Sequence, residues 1–361
     1  MNVKTASKAY ETFLHEQVPV VESDLETKHK QMASAVFPFL RSTFYRFSSL
    51  FREVCPDLAK GPELLAVGDL HVENFGTWRD TEGRLIWGIN DVDEAQTMPY
   101  AIDLVRLAAS ALLAAQEAKL AIPPEELCGA ILTGYSEWLE KGGRAFVLEE
   151  EHGWLRALAM GALRDPVAFA AKMDKLVEIK PPKAAAALLD EYLPKGSVVK
   201  RYTARIAGLG SLGRPRYVAL ADLNGGLVVL EAKAMLPSAW SWSLGNSSAP
   251  IRCGEIVAKA VRCADPCVTF VNDKGDLGGW VIRRLGPHCS RIELTELPHR
   301  NDDLKLMRVM GRETANIHLG SGKEAVTAVR EDLARRPAKW LFNVATAMAD
   351  VTRKDWNDWR A

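Results

Sequence analysis

An α+β protein of two lobes, helical first and β-rich later, is the architecture this 361-residue sequence predicts. Three observations predict it. Apolar residues recur at helical spacing over residues 1–60 and again over 102–193. Residues 197–236 change character and become strand-like, with glycine-bearing turns. Helical spacing then returns after residue 302. We therefore expect a helical lobe at 1–195, a β-rich lobe at 196–290, and C-terminal helices at 291–361 that return to the helical lobe.

The elements follow in order. Phe37, Leu40, Phe44, Phe47 and Phe51 fall at helical spacing, an aromatic stripe that reads as core. Residues 61–95 read as short strands and two acid-rich loops, with an apolar strand at 85–89 introduced by the turn residues Thr81-Glu82-Gly83. The stretch 102–193 is helical and rich in Ala and Leu, with breaks at Pro123-Pro124, Gly142-Gly143 and Pro181-Pro182. Its most apolar run, 104–122, carries Arg106, Gln116, Glu117 and Lys119, so it predicts a buried or amphipathic helix and not a membrane span. In the β-rich unit, segments 218–221 and 227–230 flank Asn224-Gly225-Gly226, a hairpin signal. A helix is expected at 254–263, strands at 267–272 and 279–285, and helices at 302–320 and 323–349.

Composition narrows the partners. Lys and Arg number 46 against 46 Asp and Glu, a formal net charge of zero, which gives no electrostatic reason for binding nucleic acid or an anionic membrane. Residues 1–17 mix charges too often for a secretory signal. Cysteines 55, 128, 253, 263, 267 and 289 form no Cys-x-x-Cys pair and read as reduced core residues of a cytoplasmic protein.

The chemistry concentrates in residues 67–95, VGDLHVENFGTWRDTEGRLIWGINDVDEA, where Asp69, His71, Glu73 and Asn74 precede a hairpin and Asp91 and Asp93 follow it. Two polar runs at one end of a hairpin can meet. An Asp, an Asn five residues later and a second Asp after a strand match how phosphoryl-transfer enzymes hold nucleophile and metal. On that pattern Asp69 orients or deprotonates an acceptor hydroxyl, and Asn74 and Asp91 bind Mg²⁺ with Asp93 as a second carboxylate ligand. His71 is expected to orient the loop. Arg41 either reaches a phosphate or pairs with an acid. A solvated hairpin with acids at its turns is the plain alternative, but carboxylates crowded without a cation repel one another.

A second constellation lies in the β-rich unit. Gly208, Gly210 and Gly213, with Ser211 among them, have the GxGxxG spacing. A dinucleotide fold needs that motif to open a helix, whereas residues 216–220 continue as a strand. Between strands, such a loop lets backbone N–H groups approach phosphate oxygens, as in a kinase glycine-rich loop. The next strand, Val229-Leu230-Glu231-Ala232-Lys233, puts a lysine where a kinase grips the α- and β-phosphates; a surface lysine on an edge strand is the alternative. Glu255, the first acid of the following helix, is the expected partner of Lys233, with Glu231 on the same strand face as the fallback. Strand 279–285 then leads to the segment joining the lobes, which puts Arg283, Arg284 and Leu285 near adenine.

In ordinary kinases the nucleotide lobe precedes the acid loops, and here it follows them. A circular permutation accounts for this order. Residues 306–318, LMRVMGRETANIH, form a helix ending in Ile-His, similar to the Leu-His helix that precedes the catalytic loop in aminoglycoside-phosphotransferase-like kinases. The chain resembles the bacterial family called domain of unknown function 2252, which in turn resembles a circularly permuted protein-kinase-like fold. The resemblance is carried by Lys30-Gln31-Met32, Phe39-Leu40-Arg41, the runs 67–76, 90–95 and 103–107, the glycine loop, and Glu231-Ala232-Lys233-Ala234. Two departures stand out: Arg41-Ser42 replaces the usual Arg-Gly, and Ala232-Lys233-Ala234-Met235 lacks the acid the family keeps beside the lysine. The resemblance implies an ATP- and Mg²⁺-dependent phosphotransferase with an unidentified small-molecule or protein hydroxyl acceptor, and a structural role for Asp103. The alternatives are a nucleotide-binding pseudokinase, nucleotidyl transfer, and a metal-dependent phosphoesterase. The last is suggested by Gly68-Asp69-Leu70-His71, yet no histidine of the seven follows a Gly-Asn pair.

Overall fold

The computed structural model describes residues 1–149, 152–161, 165–272, 278–287 and 300–361. It is a mixed α+β structure. Helices α1 (Val3–Gln17), α2 (Glu22–Ser34), α3 (Val36–Ser42), α4 (Phe44–Val54) and α5 (Pro56–Ala59) open the chain. The aromatic stripe is core as expected: Phe37, Leu40, Phe44, Phe47 and Phe51 are all buried.

Next come strands β1 (Glu63–Ala66), β2 (Phe75–Arg79), β3 (Leu85–Ile89) and β4 (Gln96–Pro99). Strand β4, which the sequence pattern did not signal, pairs antiparallel with β1. The hairpin β2–β3 pairs Phe75 with Ile89, so Asn74 and Asn90 leave the strands side by side, and the Asn90 amide donates to the Asn74 carbonyl at 3.2 Å. That register is what carries two acid loops, separate in sequence, to one place.

The stretch 102–193 breaks at the expected prolines and glycines, and it also holds a short strand and two further helices. It divides into α6 (Ala101–Glu117), α7 (Pro124–Lys141), strand β5 (Phe146–Val147) on the edge of β3, then α8 (Gly153–Gly161), α9 (Pro166–Asp174) and α10 (Lys183–Tyr192). Helix α7 starts with Pro at its first position and ends at Gly142 with φ +80°, the usual asymmetry of helix termini. Helix α6 is buried along most of its length, Asp103 and Arg106 included, and among the described residues no helix is long and apolar enough to cross a membrane.

The β-rich unit is a five-stranded antiparallel sheet. Its strands are β6 (Val198–Ala204), β7 (Arg216–Leu223), β8 (Gly226–Met235), β9 (Val268–Val271) and β10 (Gly279–Leu285), in spatial order β6-β7-β8-β10-β9. Two short helices, α11 (Ala239–Ser243) and α12 (Cys253–Lys259), connect β8 to β9, and only the second was signalled by the sequence. Three helices close the chain: α13 (Arg300–Leu319), α14 (Lys323–Arg335) and α15 (Trp340–Arg360). The expected single helix 323–349 is broken before Pro337, whose ring and missing N–H cannot continue it, and α15 runs on to Arg360. The expected C-terminal unit began at residue 291, and 291–299 lie outside the described residues, as does Cys289. Of the other cysteines, Cys55, Cys128 and Cys253 are buried as expected, whereas Cys263 is half-buried and Cys267 exposed.

Candidate active site

The loop between β1 and β2 carries Asp69, and helix α6 fixes it from below. Arg106, fully buried on α6, donates from Nε to Asp69 Oδ1 at 2.9 Å and also from Nη2 to the same oxygen. The guanidinium lies over the Phe47 ring, 4.7 Å from its centroid. Burial pushes the Asp69 carboxyl above the usual carboxylate range, and Arg106 pulls it back only in part. Asp69 thus has one oxygen tied to a fixed cation and keeps Oδ2 for other partners.

Asp103 supports the same loop from the first turn of α6. Its two oxygens accept the amides of Val67 at 2.7 Å and Gly68 at 2.8 Å. His318, near the end of α13, places Nε2 3.0 Å from Asp103 Oδ2, while its Nδ1 meets the Tyr135 hydroxyl at 2.7 Å. The Ile-His end of helix 306–318 thus reaches Asp103, the residue that holds the amides leading into the Asp69 loop.

Asn74 ties the two acid loops. Its Nδ2 donates to the carbonyls of Asp69 at 3.1 Å and Asp91 at 2.8 Å, and its Oδ1 accepts the Asp91 amide at 3.0 Å. As folded, one lone pair of Oδ1 serves the backbone, so Asn74 acts first as a clasp, with a single lone pair left for a metal. His71 is buried; its Nδ1 accepts the Glu73 amide at 3.2 Å and its ring stands edge-on to Phe37. Arg41 resolves toward the acid alternative, pairing with Glu73 at 2.5 Å.

Lys233 crosses from the sheet to these loops. Its Nζ lies 2.5 Å from Asp93 Oδ2 and 3.5 Å from Asp91 Oδ1, with the lysine side chain almost wholly buried. The expected partner is thus corrected. Glu255 sits on α12 and pairs with Lys259 at 2.7 Å and Arg252 at 3.4 Å. Glu231 shares the strand face of Lys233 but is taken by Arg205, Arg216 and Arg283. Sequence order pointed to the next helix, whereas the hairpin register delivered nearer carboxylates. Burial raises both aspartates. Lys233 and Arg283 outweigh it at Asp91, which is held below the usual range, while the charge of Asp91 adds to burial at Asp93 and raises it.

The glycine loop closes over this group. It carries a short 3₁₀ turn, Leu209–Ser211, with Gly208 and Gly213 at φ +74° and +96°. A Cβ on Gly210 would lie 3.0 Å from the Arg41 carbonyl and 3.2 Å from Asp69 Oδ2, tighter than ordinary contact, so the loop approaches Asp69 closely here. Ser211 Oγ accepts from Arg216 at 3.0 Å. Asp69, His71, Asn74, Asp91, Asp93 and Gly210 line one narrow cavity of about 50 Å³. It adjoins a cavity of about 360 Å³ through shared Asn90, Asp91 and Gly208, and Arg283, Arg284 and Leu285 line the larger one. A family model described as an uncharacterized protein conserved in bacteria, DUF2252, matches residues 20–169 and 184–361. The chain is a member of the DUF2252 family. No curated protein and no solved structure matches it.

Several residues that build this DUF2252 site escaped the sequence reading. Glu94 accepts Arg214 at 2.8 Å and the Ala239 amide at 2.6 Å, which joins the second acid loop to α11. Lys28, buried on α2, donates to the Gly210 carbonyl at 3.1 Å, and burial together with Arg214 pushes its ammonium down to about 8. Arg106 did carry a signal: a guanidinium inside the most apolar helix must find a carboxylate. Among the described residues no three His, Cys, Asp or Glu side chains group as a metal site. The fit for Mg²⁺ is instead that of two carboxylates, Asp91 and Asp93, sharing one ammonium at a cavity edge, as this ion takes one or two protein carboxylates and completes its shell with phosphate and water.

Proposed function

We propose that this DUF2252 protein is an ATP- and Mg²⁺-dependent phosphotransferase of circularly permuted, protein-kinase-like build. One observation carries the reading: Lys233, on the third strand of the sheet and one strand beyond the glycine loop, lands on Asp91 and Asp93 of the distant acid loop. Kinases likewise place their phosphate-gripping lysine on the third strand, under a glycine-rich loop. The docking of His318 on Asp103 supports the permuted order, because it brings the end of α13 to the start of the acid loops.

Asp69 Oδ2 accepts the proton of an acceptor hydroxyl while Arg106 holds Oδ1 and fixes the carboxylate plane. The acceptor oxygen forms a bond to the γ-phosphorus as the bond to the β-γ bridging oxygen breaks, and ADP leaves with that electron pair. The raised pKa of Asp69 suits a base that must take a proton and later release it. Lys233 and glycine-loop amides not already bonded within the loop's 3₁₀ turn hold phosphate oxygens. Asp91, Asp93 and the remaining Asn74 lone pair would hold Mg²⁺, which would supply charge neutralisation on the phosphates.

A binding-only reading draws on one observation as well: Asn74 Oδ1 and Asp69 Oδ1 are both engaged inside the protein. The deciding experiment follows ADP and product mass with ATP, Mg²⁺ and a panel of hydroxyl acceptors. Asp69→Asn and Asp91→Asn should each lower turnover by about 100-fold or more with the fold intact. ADP formation equal in wild type and Asp69→Asn would sink the catalytic assignment. Bound ATP without turnover would favour the pseudokinase, and a nucleotidyl mass on the acceptor would redirect the reaction to α-phosphorus.

A further inference from the structure

The cleft face of the sheet holds a charge arrangement that phosphoryl transfer as described leaves unused. Side chains alternate along β8, so Glu231 and Lys233 share one face. Lys233 serves the acid loops, but Glu231, fully buried, faces the neighbouring strands. Arg205 donates to its Oε2 at 2.6 Å, Arg216 to Oε1 at 2.8 Å, and Arg283 to Oε1 from Nη2 at 2.7 Å. Registry explains the meeting: Arg283 on β10 pairs directly with Glu231, Arg216 on β7 pairs with Lys233, and Arg205 follows the end of β6. Three guanidiniums around one carboxylate leave an excess of two positive charges.

That excess stands at a cavity. Arg205, Arg216 and Arg283 all line the space of about 360 Å³, and Arg262 and Arg284 line it too. Asp91 and Asp265 are the acids that line it. Each guanidinium offers five N–H donors, and Glu231 consumes only some of them. Burial first, and then the neighbouring charges of Arg283 and Arg216, hold the Arg205 guanidinium below its usual pKa against the opposing pull of Glu231. A carboxylate in the centre that holds three cavity-lining guanidiniums together, with N–H donors to spare, makes a preformed site for phosphate oxygens, the recognition arginine performs best.

We propose that Arg205, Arg216 and Arg283, organised around Glu231, form a polyphosphate-binding cradle on the cleft face of the sheet. The ligand class is a di- or triphosphate chain, of a nucleotide or free. The phosphates then run from the glycine loop, which Arg216 anchors through Ser211, into the cavity that the sequence assigned to adenine. This rests on the phosphotransferase reading for the identity of a nucleotide ligand, but not for the anion site itself.

The test uses the full chain without divalent cations. Calorimetric titration with inorganic tripolyphosphate should show binding, and adenosine should bind far more weakly. Arg205→Gln and Arg283→Gln should each weaken tripolyphosphate by about 10-fold or more, the worth of a charge-assisted hydrogen bond, while Lys339→Gln, at an exposed lysine outside the cavity lining, leaves it unchanged. Tripolyphosphate affinity that ignores both arginine variants, or adenosine binding with no tripolyphosphate binding, overturns the cradle. Should a variant fail to fold, phenylglyoxal labelling of wild type serves instead: tripolyphosphate should slow modification of Arg205 and Arg283, and unchanged labelling rejects the site. Arginine-dependent tripolyphosphate binding with no transfer from ATP would keep the cradle and remove the phosphotransferase. Transfer whose ATP KM and tripolyphosphate affinity both ignore the arginines would do the reverse.

Discussion

Glu313, on α13, lies wholly inside the protein and accepts the Ile89 amide at 3.2 Å and the Asn316 side chain at 2.9 Å. Burial pushes its carboxyl up to about 7, against a partial pull downward from Arg262. The folded state therefore binds the Glu313 proton more tightly than the unfolded chain, in which the group has its ordinary value of 4.5. This contribution to stability is full below pH 4.5, declines as pH rises, and is gone above about 7. Its size is at most roughly 3 kcal/mol. Glu313→Gln should flatten this part of the pH profile and gain melting temperature relative to wild type at pH 8. An unchanged slope between pH 5 and 7 would mean that Glu313 does not titrate there. The same physics sets the site: Asp69 and Arg106 tolerate burial because each answers the other.

Helices α7 and α13 cross at backbone contact, which is how α13 comes to present both Glu313 to β3 and His318 to Asp103. A Cβ added to Gly134 would lie 1.9 Å from the Arg308 carbonyl oxygen, and one on Gly311 would lie 2.0 Å from that of Ile131. Neither neighbour is a side chain that can swing aside. Gly134→Ala and Gly311→Ala should each destabilise the protein by about 3 kcal/mol or prevent folding, as overpacking against backbone does. Gly129, on the same helix α7, has open space around its Cβ position. Gly129→Ala should gain about 0.5–1 kcal/mol through helix propensity. Urea midpoints for the three variants check this, and a neutral Gly134→Ala would refute the close crossing.

Across the whole molecule, the five-stranded sheet and the acid loops meet through Lys233, Asp91 and Asp93. Removing the ammonium leaves two carboxylates facing each other in a largely buried setting. Lys233→Met should lower stability by about 3 kcal/mol, the low end for a broken buried pair because the Asp91 side chain is 41% exposed. Mg²⁺ should restore more melting temperature in Lys233→Met than it adds to wild type, since the ion takes the place of the lost cation. Equal shifts in both proteins would remove Asp91 and Asp93 as a cation site.

Sequence patterning alone determined what local chemistry can dictate. The aromatic stripe, the glycine loop between strands, the lysine one strand later and the two acid runs are all set by residue type at short spacing, as is membership in the family. Pairings decided at long range were not legible. Strand β4 is too short to announce itself, and Pro337 split a helix whose periodicity continued on both sides. Glu255 follows Lys233 in sequence, yet the Phe75–Ile89 register brought Asp91 and Asp93 closer. The meeting of Glu231 with three arginines likewise depends on which residues face each other across β7, β8 and β10. Side-chain alternation and helical period are properties of single segments. Which charges end up together is a property of the packed chain, because only burial makes an unpaired charge costly enough to choose its partner.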